Sequence, residues 1–327
     1  MKPMGAIPAD FRAEKASLLI GGRSVGDLIA EAGGTPLFVY DLGIIARRIA
    51  RFRATFPNTQ LHYAIKANSY TPLLRFISKT VDGLDVASAG ELRMALEAGA
   101  DARHISFAGP GKRDWELETA IRAGITLNAE SEGEVDRALR TGDRLGLRPR
   151  LAVRVNPEFE IKGSGMRMGG GAKPFGVDAE RVPALVRTIL DSGAEWRGFH
   201  IFAGSQALSA DALIDAQRAT LALAAELAEA VGEVPPLVNL GGGFGIPYFA
   251  GEQPLDVEAI GSALDEKLDR LPPSLAGSAF AIELGRWLVG EAGVYLTRVL
   301  DRKVSHGKTF LVTHGGMHHQ VPASGNF

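Results

Sequence analysis

Short runs of apolar and β-branched residues recur along the chain, separated by longer stretches whose apolar positions return every three to four residues. The first pattern predicts strands buried on both faces, and the second predicts amphipathic helices. Strand-like runs stand at 61–65 (LHYAI), 84–87 (LDVA), 104–108 (HISFA), 125–129 (ITLNA), 151–155 (LAVRV), 198–202 (GFHIF), 237–240 (LVNL) and 279–283 (AFAIE). Helical patterns fill most of the gaps, at 90–98, 114–123, 131–140, 178–191 and 210–231. The last of these stops before Gly232, where a helix end is expected. Strands alternating with helices in this number predict an α/β fold, a closed (β/α)8 TIM barrel. A doubly wound open sheet is the rival, but it carries its phosphate loop after its first strand. Here the glycine loop Gly241-Gly242-Gly243 follows the seventh strand, where barrels commonly place a phosphate site.

The two ends do not fit the barrel. Residues 17–40 hold the short runs SLLI and PLFVY. After Trp287, VGEAGVYLTRVLDRKV and KTFLVTHGG have β-like composition, with a turn at His306-Gly307. This predicts a β-rich domain built from both termini, 1–40 and 289–327, around a barrel domain at 41–288. A β domain that stops at SGNF has too few strands to close and leaves its edges bare. That domain is therefore expected to be incomplete at the C-terminus of this chain.

Composition narrows the chemistry. Lys+Arg (36) and Asp+Glu (38) nearly cancel to a net charge of -2, so nothing in the charge balance calls for nucleic acid or an anionic membrane as partner. The chain has no cysteine, which removes disulfides, Cys-ligated zinc, iron–sulfur clusters and thiol nucleophiles. No apolar stretch is long enough to span a bilayer, and the N-terminus lacks the apolar core of a signal peptide. A cytoplasmic protein is the expectation.

Catalytic groups of such barrels sit at the C-terminal ends of strands. Those ends carry Lys66, Asp85, Arg154 with Asn156, His200 running to Gly204-Ser205-Gln206, Gly241-Gly242-Gly243, and Glu283-Leu284-Gly285-Arg286. A lysine in a barrel mouth is a candidate Schiff-base former, because burial lowers its pKa and frees the amine. Two glycine-lined turns can cradle a phosphate. A carboxylate can pair with a ring cation, and an imidazole can lie against a ring face. Together these describe a pyridoxal phosphate site. Singly, each has a bland reading: a solvated rim lysine, a satisfied core histidine, a tight turn, a simple ion pair. The glycine loop is not a GxGxxG, since Ile246 takes the sixth position. Metal is not expected, because adjacent histidines such as His318-His319 point to opposite faces of a strand.

The run HYAIKANSYTPLLRFI (62–77) resembles the Schiff-base lysine segment of the fold-type III pyridoxal phosphate decarboxylases. These are the diaminopimelate, ornithine and arginine decarboxylase group, with an alanine-racemase-like barrel. The resemblance continues through DVASAGEL (85–92), GFHIFAGSQ (198–206), NLGGGFGIPY (239–248) and ELGRWLVGEAG (283–293), in the family's order and over nearly the whole chain. GGMHHQVPASGNF (315–327) resembles the branch associated with exosortase A gene clusters, related to decarboxylases of carrier-protein-linked substrates.

The resemblance implies a role for each matched residue. Lys66 holds pyridoxal 5'-phosphate as a Schiff base, and His200 stacks on the pyridine ring. Gly242, Gly243 and the turn from Glu283 through Gly285 to Arg286 bind the phosphate, with Ser205 nearby. Glu283 bonds the pyridine nitrogen, and Arg286 also faces the substrate carboxylate. Asp85 and Arg154 support the site from behind. The implied reaction is decarboxylation of an amino acid, free or linked to a carrier protein. A carboxylate at the ring nitrogen favours that reaction over racemisation, for which alanine racemase uses an arginine. A non-catalytic cofactor-binding or regulatory homologue and a racemase on the same barrel remain as alternatives. The family also implies a homodimer with shared active sites.

Several positions depart from the family pattern. Where the family reads EPGR, this chain has Glu283-Leu284-Gly285-Arg286, and where it reads roughly GMND, the chain has Gly316-Met317-His318-His319. The family's Ser-Lys-Phe-Gly stretch appears as Ala172-Lys173-Pro174-Phe175-Gly176. A Cys and a Tyr that the family supplies from its C-terminal β domain are expected beyond Phe327.

Overall fold

The computed structural model describes residues 7–14, 16–163 and 165–320. Within them the chain divides into two compact units, one formed by Arg47–Gly290 and the other by the described residues on either side.

The first unit is built on eight parallel strands: β1 (Gln60–Ala64), β2 (Gly83–Val86), β3 (Ile105–Phe107), β4 (Thr126–Ala129), β5 (Arg150–Asn156), β6 (Glu195–Ile201), β7 (Leu237–Asn239) and β8 (Ala279–Leu284). Each pairs with the next, and β8 pairs with β1, which closes the barrel. All eight lie within three residues of the runs read from the sequence, because strands covered on both faces are nearly continuous apolar runs.

Helices α1 (Leu42–Thr55), α2 (Thr71–Ile77), α3 (Ala89–Glu97), α4 (Asp114–Ala123), α5 (Glu132–Leu145), α6 (Val182–Asp191), α7 (Ala210–Val231) and α8 (Val257–Leu268) alternate with the strands. Their ends have local causes. The hydroxyls of Ser88, Ser131 and Ser209 accept backbone N–H bonds at the starts of α3, α5 and α7. Gly124, Gly146 and Gly232 take the left-handed conformation that ends α4, α5 and α7. Among the described residues, no helix is long and apolar enough to cross a membrane.

Barrels of this kind usually fill their interior with branched apolar side chains. This one buries His62, Asp85, Asn128, Arg154, Asn156, His200, Asn239 and Glu283 on its strands. Burying so many polar groups costs stability unless they are paired, so the polar strand positions mark where chemistry is held.

In the second unit, Leu37–Tyr40 pairs antiparallel with Gly293–Leu296, which joins the two ends of the chain in one sheet. Arg12–Glu14, Ser17–Ile20 and Arg23–Ser24 form a small antiparallel sheet. Val299–Ser305 and Lys308–Thr313 form a hairpin whose turn residues, His306 (φ 48°) and Gly307 (φ 74°), are both left-handed, the form that matches strand twist. His318 and His319 do not lie in a strand as expected. They sit in the 3-10 turn Met317–His319 with ring centroids 4.0 Å apart, because one tight turn sets neighbouring side chains close together. His319 Nδ1 stands 2.7 Å from the Tyr295 hydroxyl. The end of the run GGMHHQVPASGNF, from Val321 on, lies outside the described residues.

Candidate active site

Four segments converge at the C-terminal end of the barrel. The first is the 3-10 turn Ile65–Ala67 that follows β1 and carries Lys66. The Tyr63 hydroxyl donates to the Asn68 carbonyl at 2.9 Å, and the Asn68 side chain accepts from the Tyr70 N–H, which ties the turn down on both sides. Lys66 itself is exposed, with Nζ 5.8 Å from the centre of the Phe202 ring. The expectation that burial prepares this amine is therefore corrected: the turn leaves the core between the fully buried Ile65 and Lys66, whose side chain is open at the barrel mouth.

The second and third segments carry His200 on β6 and Glu283 on β8. His200 Nε2 donates to Glu283 Oε2 at 3.1 Å, and both residues are buried. Burial alone would raise the Glu283 pKa, but the His200 hydrogen bond and the charges of Lys66, His200 and Arg154 overcome it and hold the carboxyl well below its ordinary range. Glu283 is thus a buried carboxylate that stays ionised. His200 Nδ1 is buried without a partner among the described residues.

The fourth segment is the glycine loop after β7. A Cβ at Gly242 would overlap the Glu283 carbonyl oxygen, so only glycine lets this loop press against β8. The Glu283 N–H donates to the Gly241 carbonyl at 2.8 Å and completes the contact. Gly243 is left-handed (φ 93°). Gly285 opens the short helix Arg286–Val289, and a Cβ there would stand 3.0 Å from that of Ala67, so this turn abuts the lysine turn. Two glycine-lined turns and a lysine turn thus meet around the carboxylate.

At the rim, Arg286 Nη1 donates to Gln206 Oε1 at 3.2 Å and its guanidinium lies 6.0 Å from the Tyr248 ring. Gln206 is held at φ 59°, a sparsely populated conformation for a side-chain-bearing residue. Its amide is fixed by both the N–H and the carbonyl of Ile246.

The chain was compared with known proteins. Residues 42–290 match the family described as pyridoxal-dependent decarboxylase, pyridoxal binding domain. The chain belongs to this family. The decarboxylase is 34% identical over 294 residues to the L-glutamyl-[BtrI acyl-carrier protein] decarboxylase of Niallia circulans, covering 89% of this chain and 69% of that protein. It is 34% identical over 307 residues to the diaminopimelate decarboxylase of Methanothermobacter thermautotrophicus, covering 90% of this chain and 70% of that one. Among solved structures, it superimposes on AQ1208 of Aquifex aeolicus with a TM-score of 0.83 at 28% identity, over 97% of this chain and 74% of that chain. As a member of the family, the chain is a carboxy-lyase of the amino-acid decarboxylase group, and its cofactor is pyridoxal phosphate.

The residues of the decarboxylase fit that cofactor. The unpartnered, buried His200 Nδ1 is a feature that a packed barrel end has no use for. An amine, an ionised carboxylate and glycine turns lie around it.

The sequence-derived residues are not all gathered equally. Lys66, His200 and Arg154 all act electrostatically on Glu283, and Gly242, Gly243, Gly285 and Arg286 frame them. Ser205 lies in the two-residue strand Gly204–Ser205 that leads to Gln206. Asp85 stands apart: its carboxylate accepts from the Ser106 hydroxyl and faces His62 Nδ1 at 3.6 Å, inside the barrel.

Sequence reading passed over Glu130. This buried carboxylate follows β4 and pairs with Arg154 Nη1 at 2.9 Å, while also accepting the backbone N–H groups of Gly109 and Gly176. It holds Arg154 under the Phe175 ring, whose centre is 5.0 Å away. An acid one residue past a strand end, level with Arg154 on the neighbouring strand, was the available signal.

Proposed function

We propose that this decarboxylase removes the α-carboxylate of an amino acid presented on an acyl-carrier protein, at the barrel mouth around Lys66, His200 and Glu283. The observation that carries the reaction type is the buried Glu283 carboxylate, kept ionised beside His200, Lys66 and Arg154. The relationship to a carrier-protein-linked glutamyl decarboxylase over most of the chain supports the substrate class. Diaminopimelate is the second reading, supported by the similarity to diaminopimelate decarboxylases at up to 34% identity.

Bound pyridoxal phosphate supplies an electron sink for the pair left behind when the substrate carboxylate departs as carbon dioxide. Lys66 would hold the cofactor through Nζ. Glu283 would keep a proton on the ring nitrogen, which would deepen the sink. His200 keeps Glu283 oriented through Nε2 and would offer its ring face to the pyridine. Gly242, Gly243 and Gly285 would let backbone approach the phosphate, with Ser205 nearby. Arg286, fixed by Gln206, would present its guanidinium to the phosphate and to the substrate carboxylate. Arg154, clamped by Glu130, adds positive charge behind Glu283, and Asp85 supports the barrel interior.

This reading includes a barrel domain bounded near residues 41 and 288, supported by the family span 42–290. It also includes a cytoplasmic homodimer, supported by the resemblance to enzymes that share sites across two subunits. The test is release of labelled carbon dioxide from the α-carboxyl by cofactor-loaded protein, offered glutamyl carrier protein, free glutamate, diaminopimelate and arginine. Release from the carrier-linked substrate alone is expected. Release from diaminopimelate alone favours the second reading, and racemisation without carbon dioxide overturns both. Light scattering reports the dimer.

A further inference from the structure

A cavity of about 350 Å³ opens at the end of the barrel opposite the catalytic mouth, where the strands begin. Its wall includes Gln60, Arg150, Leu237 and Ala279, the first residues of β1, β5, β7 and β8. That volume lies at the lower end of the range for small-ligand pockets.

We propose that this cavity is a binding site for a small polyanion bearing carboxylate or phosphate groups, separate from the catalytic site. Arg103, His104, Arg150, Arg197 and His62 line it, and no aspartate or glutamate does. Two carboxylates, Asp101 and Glu195, pair with the three arginines and leave one positive charge over, while Asp85 faces His62 from behind. Arg150 Nε and Arg197 Nη1 share the single carboxylate of Glu195, at 3.3 and 2.9 Å. Arg103 is engaged by Asp101 through Nε and Nη2, which leaves the Nη1 edge of its guanidinium to face a ligand. Burial, and then the neighbouring Arg197 charge, draw the Arg150 guanidinium below its ordinary pKa. A bound anion would relieve that strain.

The backbone is shaped to aim these groups. Strand β6 carries a register shift between Trp196 and Gly198, so Arg197 is an extra residue in the ladder against β5. A bulge of this kind redirects the side chain at the bulge. The shift requires Gly198, which is left-handed (φ 100°) and whose Cβ would overlap the Leu237 carbonyl. On the inner wall, His62 packs over Gly83, where a Cβ would stand 2.7 Å from Nε2. His62 is more than nine-tenths buried; its Nδ1 faces the Asp85 carboxylate at 3.6 Å and its Nε2 lies 3.4 Å from Gln60 Oε1. Asn128, Ser106 and Asn239 continue the polar wall inward. Three arginines gathered on one cavity around a backbone irregularity are more than a stabilising barrel floor needs.

The test is calorimetric titration of the cofactor-saturated full chain, whose catalytic phosphate cradle is filled, with inorganic phosphate, succinate and citrate. Sodium chloride at matched ionic strength is the control. Saturable binding of at least one probe is expected, and the preferred probe distinguishes a phosphate ligand from a carboxylate one. Arg197→Gln should weaken it about tenfold or more, as loss of one charge-assisted contact does. Exposed Arg103→Gln should weaken it too and keeps the test open if Arg197→Gln does not fold. Absence of binding, an equal response to chloride, or unchanged affinity in the folded variants overturns the proposal.

Discussion

His200 on β6 and Glu283 on β8 reach across the intervening strand β7 to meet at 3.1 Å, both buried. The glycine loop that follows β7 passes over them, and its Gly241 carbonyl accepts the Glu283 backbone N–H. Three successive strands thus fix one carboxylate, by its side chain and by its main chain. A carboxylate held in this way has little freedom to reorient during a reaction, which is the condition for electrostatic preorganisation.

Glu283→Gln should lower turnover by about 10²–10³-fold, the usual effect of removing one preorganised polar group from a reacting site. The amide keeps the shape and its oxygen can still accept from His200, so cofactor loading should change little. Steady-state carbon dioxide release and the visible absorbance of the bound cofactor check the two halves separately. Unchanged turnover would remove Glu283 from the ring nitrogen.

Lys66→Ala should abolish turnover and borohydride-stable cofactor attachment while the fold survives. Lys66 is exposed, so its loss leaves no buried void. The other lysine held near the strand ends, Lys112, is buried in an ion pair with Glu134 at 2.6 Å and is not free to substitute. Mass spectrometry of the reduced protein decides it: cofactor found on another lysine in the variant would show that the attachment site is misplaced.

The eight strands were legible because a parallel barrel buries both faces of each strand and writes each as an apolar run. The functional residues were legible where they stood at strand ends, as with Lys66, His200 and Glu283. Glu130 was not, because its role depends on Arg154 and on the backbone of Gly109 and Gly176, which are distant in the chain. Gln206 was legible as a strand-end residue, but its left-handed backbone and its side-chain bonds to Ile246 and Arg286, distant in the chain, were not. The exposure of Lys66 and the turn at His318-His319 depend on where a strand stops, and apolar patterning places that only to within a few residues.

Gly242→Ala should cost stability and cofactor affinity together. The new methyl would overlap the backbone carbonyl of Glu283, which cannot swing aside as a side chain would. Overpacking of this kind costs about 1–3 kcal/mol. Gly133→Ala is the matched control, since its methyl on α5 meets open space and should stabilise by about 0.5–1 kcal/mol. Urea denaturation and cofactor titration of both variants test the pair. Equal behaviour would mean that the loop after β7 does not lie against β8.

The depressed pKa of Glu283 also sets a pH dependence. Its folded value is lowered to about 2 by the forces opposing its burial, against about 4.3 for a glutamate in an unfolded chain. The folded state therefore binds this proton less readily than the unfolded state does. The resulting stabilisation is fully present above about pH 4.3, falls as the pH drops toward 2, and is gone below that. Glu283→Gln cannot titrate, so subtracting its stability from that of the parent isolates the contribution from all other carboxylates. The difference should be constant from neutral pH down to about 5 and should shift against the parent steadily below about 4.3. Chemical denaturation of both proteins at matched pH measures it. A difference independent of pH across that window would show that Glu283 is not held ionised by His200, Lys66 and Arg154.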